Sequence, residues 1–274
     1  MGGVRSVAGL RAHLLAAGLA GTVATTREQS LTRYRLFAAR DPRALLGLVP
    51  ERDWTVPELL ALMAQRCGVS PDPARVSGRD RIDPDLTLAA LDVFTERLGA
   101  AVRRREPVLL GTGHPDRLLG FYTALAAALA AAGCPVLTPG RGRRVEVATR
   151  FGVVPHRLAY VRGVAVLHRV GACTDPDAPG AHTHSPLPLR SALAAAAAEG
   201  GRLPQLVVGD HGWVCAAGAL GVEAMGPADT DDPAPFVGEA EGRVAVAVPL
   251  NDGASAVHYG PLTRYVLNRA RLSQ

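Results

Sequence analysis

Apolar residues recur at helical spacing through the first third of the chain. This pattern predicts four helices, over Val7–Leu19, Thr26–Arg40, Val56–Gln65 and Leu86–Arg104. Thr55 and Asp83 each precede a proline and an acidic residue, which is the usual chemistry of a helix start. We therefore predict that residues 1–105 form a mainly helical region that packs on the rest of the chain.

The pattern changes after Glu106 to short apolar runs that alternate with helical stretches. The runs predict strands over Pro107–Leu110, Pro135–Leu137, Val164–Leu167, Leu206–Val208, Val222–Met225 and Val244–Val248. The intervening helices are predicted over Asp116–Ala132, Leu187–Glu199 and Pro261–Arg271. Continuous apolar strands alternating with helices indicate a sheet that is covered on both faces. We predict an α/β fold, a three-layer Rossmann-like arrangement around a mostly parallel sheet. Residues 106–274 form its core, in one continuous domain with the helical region.

One stretch of this second part shows no clear period. Pro139–Arg162 contains several glycines, prolines and arginines between short apolar pairs. We predict that it is irregular.

Composition narrows the classes of function. The chain has 274 residues and is 48% hydrophobic, enough for one large core. Its 30 basic residues exceed its 25 acidic ones, but every basic residue is arginine. A Walker phosphate loop and a Schiff-base mechanism both need a lysine, so both are excluded. Aromatic residues make up only 4% and the arginines are scattered, so we predict no nucleic-acid partner.

Cysteine spacing and hydropathy indicate a cytoplasmic protein. The four cysteines stand far apart, which favours neither a disulfide framework nor a thiolate zinc site: Cys67, Cys134, Cys173 and Cys215. Arg5, Arg11 and His13 interrupt the apolar start, so it does not match a signal peptide. The alanine-rich stretch Leu118–Ala132 is too short and too weakly apolar to cross a bilayer. No membrane association is expected.

Polar side chains follow three of the predicted strands directly, in the segments Gly111–Pro115, Gly209–Trp213 and Pro249–Gly253. Ligands bind at the carboxyl edge of open α/β sheets, so residues at such junctions are site candidates. We expect His114, Asp210 and His211 to share one crevice at this edge. Asp252 suits a ligand role or a plain turn before Gly253.

His182-Thr183-His184-Ser185 adds two further imidazoles. In an extended segment, residues two apart point to the same side, so His182 and His184 can bind one metal ion. Together with Asp210 and His211 they form a nitrogen and oxygen ligand set that suits a divalent metal, namely Zn, Mn, Fe or Mg. A solvated loop is the alternative for this segment. Asp229, Asp231 and Asp232 in the turn Ala228–Pro233 could bind a divalent ion through their carboxylates, but an acidic turn next to proline is more often a solvated loop.

Most hydrolase and nucleotide-binding signatures are absent. No GxSxG elbow occurs, no strand ends in DxD, and the cysteine-to-arginine spacing of a thiol phosphatase is missing. Gly111-Thr112-Gly113 lacks the third glycine of a dinucleotide-binding loop.

Several motifs in fixed order nevertheless resemble those of an actinobacterial protein family known simply as phosphatases. The resemblance runs from about Leu14 to Leu267 and rests on five segments: Ala24–Gln29, Gly113–Pro115, His182–Ser185, Gly209–Trp213 and Ala228–Pro233. It implies hydrolysis of a phosphate ester. Arg27 could then clamp the phosphate with help from Thr25. Thr112 and Gly113, at a helix start, are further candidates for binding it.

We interpret the chain as a phosphatase-like hydrolase of a small phosphate monoester, assisted by a metal ion bound to histidine and aspartate. Asp210, His211, His114 and Asp252 are its predicted catalytic residues. Two alternatives stay open. One is a non-catalytic protein that binds a nucleotide or sugar phosphate at the Gly111–Pro115 turn. The other is an isomerase or lyase that uses Asp210 and His211 as an acid–base pair without a metal. The sequence also leaves a homo-oligomer open.

Overall fold

A computed structural model describes residues 6–149, 152–172, 175 and 177–272. Its strands are β1 to β9, spanning Gly21–Thr26, Arg79–Ile82, Val108–Gly111, Arg144–Thr149, Gly152–Val161, Val164–Arg169, Leu206–Gly209, Glu223–Ala228 and Val246–Pro249. Its helices are α1 to α10, spanning Val7–Ala16, Arg27–Ala38, Pro42–Leu45, Val56–Cys67, Pro84–Arg104, Pro115–Ala131, Leu187–Ala198, His211–Ala219, Pro233–Ala240 and Tyr259–Arg269. Most predicted elements are present within a few residues of their predicted bounds.

Seven strands form the central sheet, in the order β4-β5-β6-β3-β7-β8-β9. The five neighbouring strands β6, β3, β7, β8 and β9 run parallel to one another. Strand β5 pairs antiparallel with both β4 and β6. The predicted mostly parallel α/β sheet is therefore confirmed. Strand β3 lies beside β7, and Gly111 pairs with Gly209 at their carboxyl ends.

Helices cover both faces of this sheet. Side chains of a strand alternate between faces. In β3, Val108 and Leu110 join a core with α1, α5, α6 and α10, whereas Leu109 joins a core with α7 and α8. All three of these side chains are fully buried. Burying one such side chain contributes roughly 1.5–3 kcal/mol, so the strand is held from both sides. This is the three-layer arrangement that the sequence predicts.

The N-terminal region begins its helices where the sequence indicates. Thr55 accepts a hydrogen bond from the amide of Glu58, whose side chain reaches back to Thr55, and Asp83 accepts one from the amide of Asp85. The region also contains the antiparallel β1–β2 pair, which the helical prediction omitted. Helices α2 and α4 pack on α9 in a third apolar core. They join the sheet through this core.

Two predictions for the middle of the chain are wrong. The stretch Pro139–Arg162 is not irregular, because it contains both strands of the antiparallel pair β4–β5. Pro135–Leu137 does not form a strand of the sheet, since only Val136 makes an isolated bridge, to Val108.

Cysteine placement agrees with the absence of a disulfide framework in the described part of the chain. Cys67, Cys134 and Cys215 are buried and free, and Cys173 lies outside the described residues. Among the residues that the structure covers, no helix has the length and apolar character needed to cross a membrane.

Candidate active site

The first residues of the site follow the carboxyl ends of the neighbouring strands β3 and β7. Both strands end in glycine, and the chain then turns into α6 and α8 respectively. Thr112, Gly113 and His114 follow the first strand, and Asp210 and His211 follow the second. Parallel neighbours are about 4.8 Å apart, which explains why these segments meet.

Asp210 is fully buried and accepts hydrogen bonds from three directions. Its Oδ2 accepts from Thr112 Oγ1 at 2.6 Å, and its Oδ1 accepts from the Gly113 amide at 2.6 Å and from His211 Nδ1 at 2.9 Å. With Nδ1 donating to Asp210, only Nε2 of His211 is left to bind a ligand. Asp210 lies behind His211, where it is placed to orient this imidazole, and the metal-ligand role expected from the sequence stays a prediction.

His211 occupies the first position of α8 with a φ of 46°. This left-handed backbone is uncommon for a residue with a side chain, and such strain concentrates at functional sites. Its Nε2 lies 3.0 Å from Asp232 Oδ2 and 3.2 Å from Asp252 Oδ2. The side chains of His211, Asp232 and Asp252 are 1%, 5% and 7% exposed. Two buried carboxylates therefore face one buried imidazole nitrogen.

Asp232 and Asp252 come from the same edge of the sheet. Asp232 stands at the start of α9 after β8, and Asp252 follows β9. Sequence analysis assigned Asp232 to a solvated loop, and that assignment is wrong. One sequence feature could have predicted Asp232 as a site residue, because it stands directly before Pro233 at a helix start that follows a strand.

The histidine loop, His182–Ser185, folds over this crevice as expected. Its position is fixed by a hydrogen bond from the Thr183 amide to the Gly113 carbonyl, 2.9 Å long. A Cβ atom on Gly113 would lie 2.1 Å from the Thr183 carbonyl oxygen, and one on Gly212 would lie 2.4 Å from that of Ser185. The loop approaches the strand ends so closely that only glycine fits beneath it.

Four imidazoles meet under this loop. The ring centroid of His114 is 4.0 Å from that of His182, 5.5 Å from that of His184 and 4.4 Å from that of His211. The rings of His184 and His211 are stacked at 4.0 Å. The structure thus brings together His114, His182, His184 and His211, all of them predicted site residues.

Several donor atoms approach one another without hydrogen bonding. His211 Nε2, Asp252 Oδ2 and His114 Nδ1 are buried and have no hydrogen-bond partner among the described residues. His114 Nδ1 nevertheless lies 3.3 Å from Asp252 Oδ2. Ligand atoms bound to one ion at about 2.0–2.1 Å stand about 2.9–3.4 Å from one another, for octahedral and tetrahedral angles respectively. This spacing and this donor chemistry fit a divalent metal ion.

In the described part of the chain, two groups of donor atoms lie close enough together to hold one metal ion. One contains His114, His184 and His211, and the other contains His211, Asp232 and Asp252. The atoms of each group lie within 4.8 Å of one another.

Burial keeps the loop imidazoles neutral. It lowers the pKa of His184 well below its ordinary value. Burial and the neighbouring His114 lower the pKa of His182 to about 4. A neutral imidazole is the form that binds metal ions. Both side chains therefore have a free nitrogen lone pair near pH 7.

Charge is organised in the opposite way around His211. Burial disfavours its charged form, but Asp232 and the hydrogen bond to Asp210 outweigh burial and raise the pKa of His211. Burial likewise opposes the charge of Asp252, yet the adjacent imidazoles of His114 and His211 lower its pKa. These pKa shifts favour a charged imidazole at His211 and a charged carboxylate at Asp252.

The residues predicted to bind substrate are engaged within the protein. Arg27 is fully buried and donates to the carbonyl oxygens of Arg75, Ser70 and Asp72 in the loop before β2. It is placed to hold this loop, and the phosphate contact expected from the sequence stays a prediction.

Three further predicted contacts are also occupied. Thr25 Oγ1 donates to Asp229 Oδ2 at 2.7 Å, and Thr112 Oγ1 and the Gly113 amide donate to Asp210. Burial raises the pKa of Asp229, which favours its neutral form. Thr112, Gly113 and Asp210 thus form one hydrogen-bonded unit beyond the ends of β3 and β7.

Comparison with known proteins supplies the family. The sequence profile of a family described as Phosphatase matches residues 5–274. A protein of Streptomyces coelicolor named Phosphatase SCO2771 is 40% identical over 272 residues, which cover 98% of each chain. A match of this length and identity encloses the whole sheet and every residue of the site described above. The chain therefore belongs to the Phosphatase family.

Proposed function

We propose that this protein hydrolyses small phosphate monoesters with the help of a divalent metal ion held by His211, Asp232 and Asp252. Membership of the Phosphatase family and the name of the Streptomyces relative support the reaction. The observation that carries the metal part is that His211 Nε2 and Asp252 Oδ2, both buried and without a hydrogen-bond partner among the described residues, lie 3.2 Å apart, with Asp232 Oδ2 3.0 Å from the same nitrogen.

The donor chemistry limits the metal. Imidazole with carboxylate suits Zn, Mn and Fe, and carboxylate-rich sites also accept Mg. The three described cysteines are buried and do not belong to either donor group. Thiolate-selected metals such as Cu(I) are therefore not expected.

Hydrolysis of the ester exchanges one P–O bond for another. The oxygen of a water molecule bonds to phosphorus, the ester P–O bond breaks, and the leaving alkoxide takes up a proton. A bound divalent ion supplies neutralisation of the phosphoryl oxygens and acidification of water.

The chain's own residues prepare this site. Asp210 fixes the His211 ring so that Nε2 faces the two carboxylates, and Thr112 in turn fixes Asp210. A carboxylate behind a metal-binding histidine holds the ring and raises the basicity of its ligand nitrogen. The histidine loop covers the crevice and limits the access of solvent.

Phosphate release from a panel of small phosphomonoesters tests the proposal. Chelator-treated protein is assayed alone and after addition of Zn, Mn, Fe(II) or Mg. The test variant is His211→Ala, and the matched control is His168→Ala. His168 lies at the end of β6, and its ring contacts the carbonyl of Ala178 instead of the residues of the site. We expect release that depends on metal, is lost in the first variant and is retained in the second.

Other outcomes decide for the alternatives. Binding of inorganic phosphate without release of phosphate from any ester, with any metal, would favour a non-catalytic binding protein. Turnover of a substrate by an isomerase or lyase reaction that chelation leaves unchanged would favour the acid–base pair Asp210 and His211.

A further inference from the structure

The number of nitrogen donors in the crevice exceeds what one ion at His211 needs. His211 takes part in both groups of candidate ligands, but its Nδ1 donates to Asp210 Oδ1, so only Nε2 is free. One imidazole nitrogen binds one ion. If Nε2 binds with Asp232 and Asp252, then His114 and His184 remain as donors for something else.

The geometry of the remaining imidazoles suits a common ligand. Their ring centroids are separated by 4.0 Å for His114 and His182, 4.9 Å for His182 and His184, and 5.5 Å for His114 and His184. An ion about 2.1 Å from a ring nitrogen lies about 3.2 Å from the centroid, so two imidazoles on it have centroids about 4.5–5.2 Å apart. The His182–His184 distance lies inside this range, and the donor atoms of His114 and His184 lie within 4.8 Å of each other.

Asp252 stands between the two sets of donors. Its Oδ2 lies 3.2 Å from His211 Nε2 and 3.3 Å from His114 Nδ1. None of these three atoms has a hydrogen-bond partner in the described residues. A carboxylate facing both imidazoles at ligand-to-ligand distance is placed to contact two ions at once.

The charge of the crevice also favours more than one ion. Asp210, Asp232 and Asp252 carry three formal negative charges, and their ion-pair partners in the described part of the chain are histidines alone. One divalent ion would leave these groups at a net charge of −1, which repels a phosphate dianion. Two divalent ions would bring the net charge to +1 and attract it.

We propose that the crevice holds a two-metal centre, with one ion on His211 and Asp232, a second ion on His114 and His184, and Asp252 shared between them. This proposal rests on the proposed metal-dependent function and gives it a specific ligand set. The substrate class it implies is a phosphate monoester whose phosphoryl oxygens contact both ions.

Metal binding can be measured without any substrate. Chelator-treated full-length protein is titrated with Mn²⁺, bound metal is counted by elemental analysis, and the electron paramagnetic resonance spectrum is recorded at each step. We expect two Mn²⁺ ions per chain and, at full loading, the spectrum of a spin-coupled pair. Binding of a single ion that gives an isolated Mn²⁺ spectrum at saturation would overturn the proposal.

Two variants locate the second ion. His184→Ala removes a loop ligand, and we expect the affinity for the second ion to fall by about tenfold or more while the first ion stays bound. His168→Ala is the matched control and should bind two coupled ions. If His184→Ala proves unfolded by circular dichroism, His114→Gln tests the same ion from the residue that precedes α6. Unchanged two-ion loading with spin coupling in the folded variants contradicts the ligand assignment.

The binding readout separates this inference from the proposed function. Two coupled ions with no phosphate release from any ester would support the centre and refute the phosphatase activity. One ion with metal-dependent release would refute the two-metal centre alone.

Discussion

Replacement of Asp210 by asparagine tests how the site is organised behind its metal-facing atoms. The asparagine carbonyl can keep the position of Oδ1, which accepts from the Gly113 amide and His211 Nδ1. Its amide group replaces Oδ2 and can donate to Thr112 Oγ1. The fold should therefore survive, while His211 loses the negative charge behind it.

The magnitude follows from the contacts that change. Loss of a carboxylate behind a metal-binding histidine lowers metal affinity by about 10- to 100-fold, which is about 1.4–2.8 kcal/mol. Weakening of buried hydrogen bonds to a charged group costs about 1.5–3 kcal/mol of folding stability. Both effects should appear in Asp210→Asn. Thr112→Ser keeps the hydroxyl that donates to Asp210 and serves as the matched control.

Two measurements check this prediction. Isothermal titration calorimetry with Zn²⁺ gives the affinity of the chelator-treated protein, and urea denaturation gives its stability. Wild-type metal affinity in a folded Asp210→Asn protein would refute the orienting role of Asp210 and, with it, the assignment of His211 Nε2 as a ligand.

Three further predictions concern protonation, the histidine loop and a buried arginine. The pKa of His211 is raised in the folded protein, so its charged form stabilises the metal-free fold fully below the unfolded pKa of about 6.5, and this stabilisation is lost as pH rises through the folded pKa. Zn²⁺ must displace this proton, so its binding at pH 7 should release about one proton. Calorimetry in buffers of different ionisation enthalpy measures the number of protons released. Gly113→Ala should displace the histidine loop, abolish phosphate release and lower the free energy of unfolding by about 1–3 kcal/mol, measured by thermal denaturation. The control Gly120→Ala, in open space on α6, should leave stability unchanged or raise it. Arg27→Met leaves the buried carboxylate of Asp80 unpaired and should cost about 3–5 kcal/mol of stability in urea, with an unchanged KM in the folded fraction.

Each of these has a distinct contrary result. Metal binding that takes up no proton and releases none would contradict a charged His211. Full activity of Gly113→Ala would contradict the close contact between the histidine loop and Gly113. A raised KM with unchanged stability in Arg27→Met would restore the phosphate contact that its burial argues against.

Sequence patterns located the convergence of His114, Asp210 and His211 because parallel strands end at the same edge. The glycines that close β3 and β7 mark these ends in the sequence, and they pair in the structure. The path of the His182–Ser185 loop is set by long-range contacts with Gly113 and Gly212, so its spacing alone did not fix its position.

Asp232 and β4–β5 were missed for physical reasons. β8 runs through a glycine and a proline to Ala228, so its end is hard to recognise, and the acids after it resemble a solvated turn. In β4, buried Val145 and Val147 alternate with exposed residues, a pattern obscured by neighbouring arginines. The fully buried Arg27 could not be predicted, because its partners are backbone carbonyls about 45 residues away in sequence.

Step-by-step metal loading of one preparation tests the central claim most directly. Chelator-treated protein receives Mn²⁺ in increments, and each sample is divided between elemental analysis and an assay of phosphate release from a saturating small phosphomonoester. We predict that the rate is at background without metal, rises with bound Mn²⁺ until the site is filled, and stays at background in His211→Ala. A full rate in protein from which the metal has been removed would contradict the account.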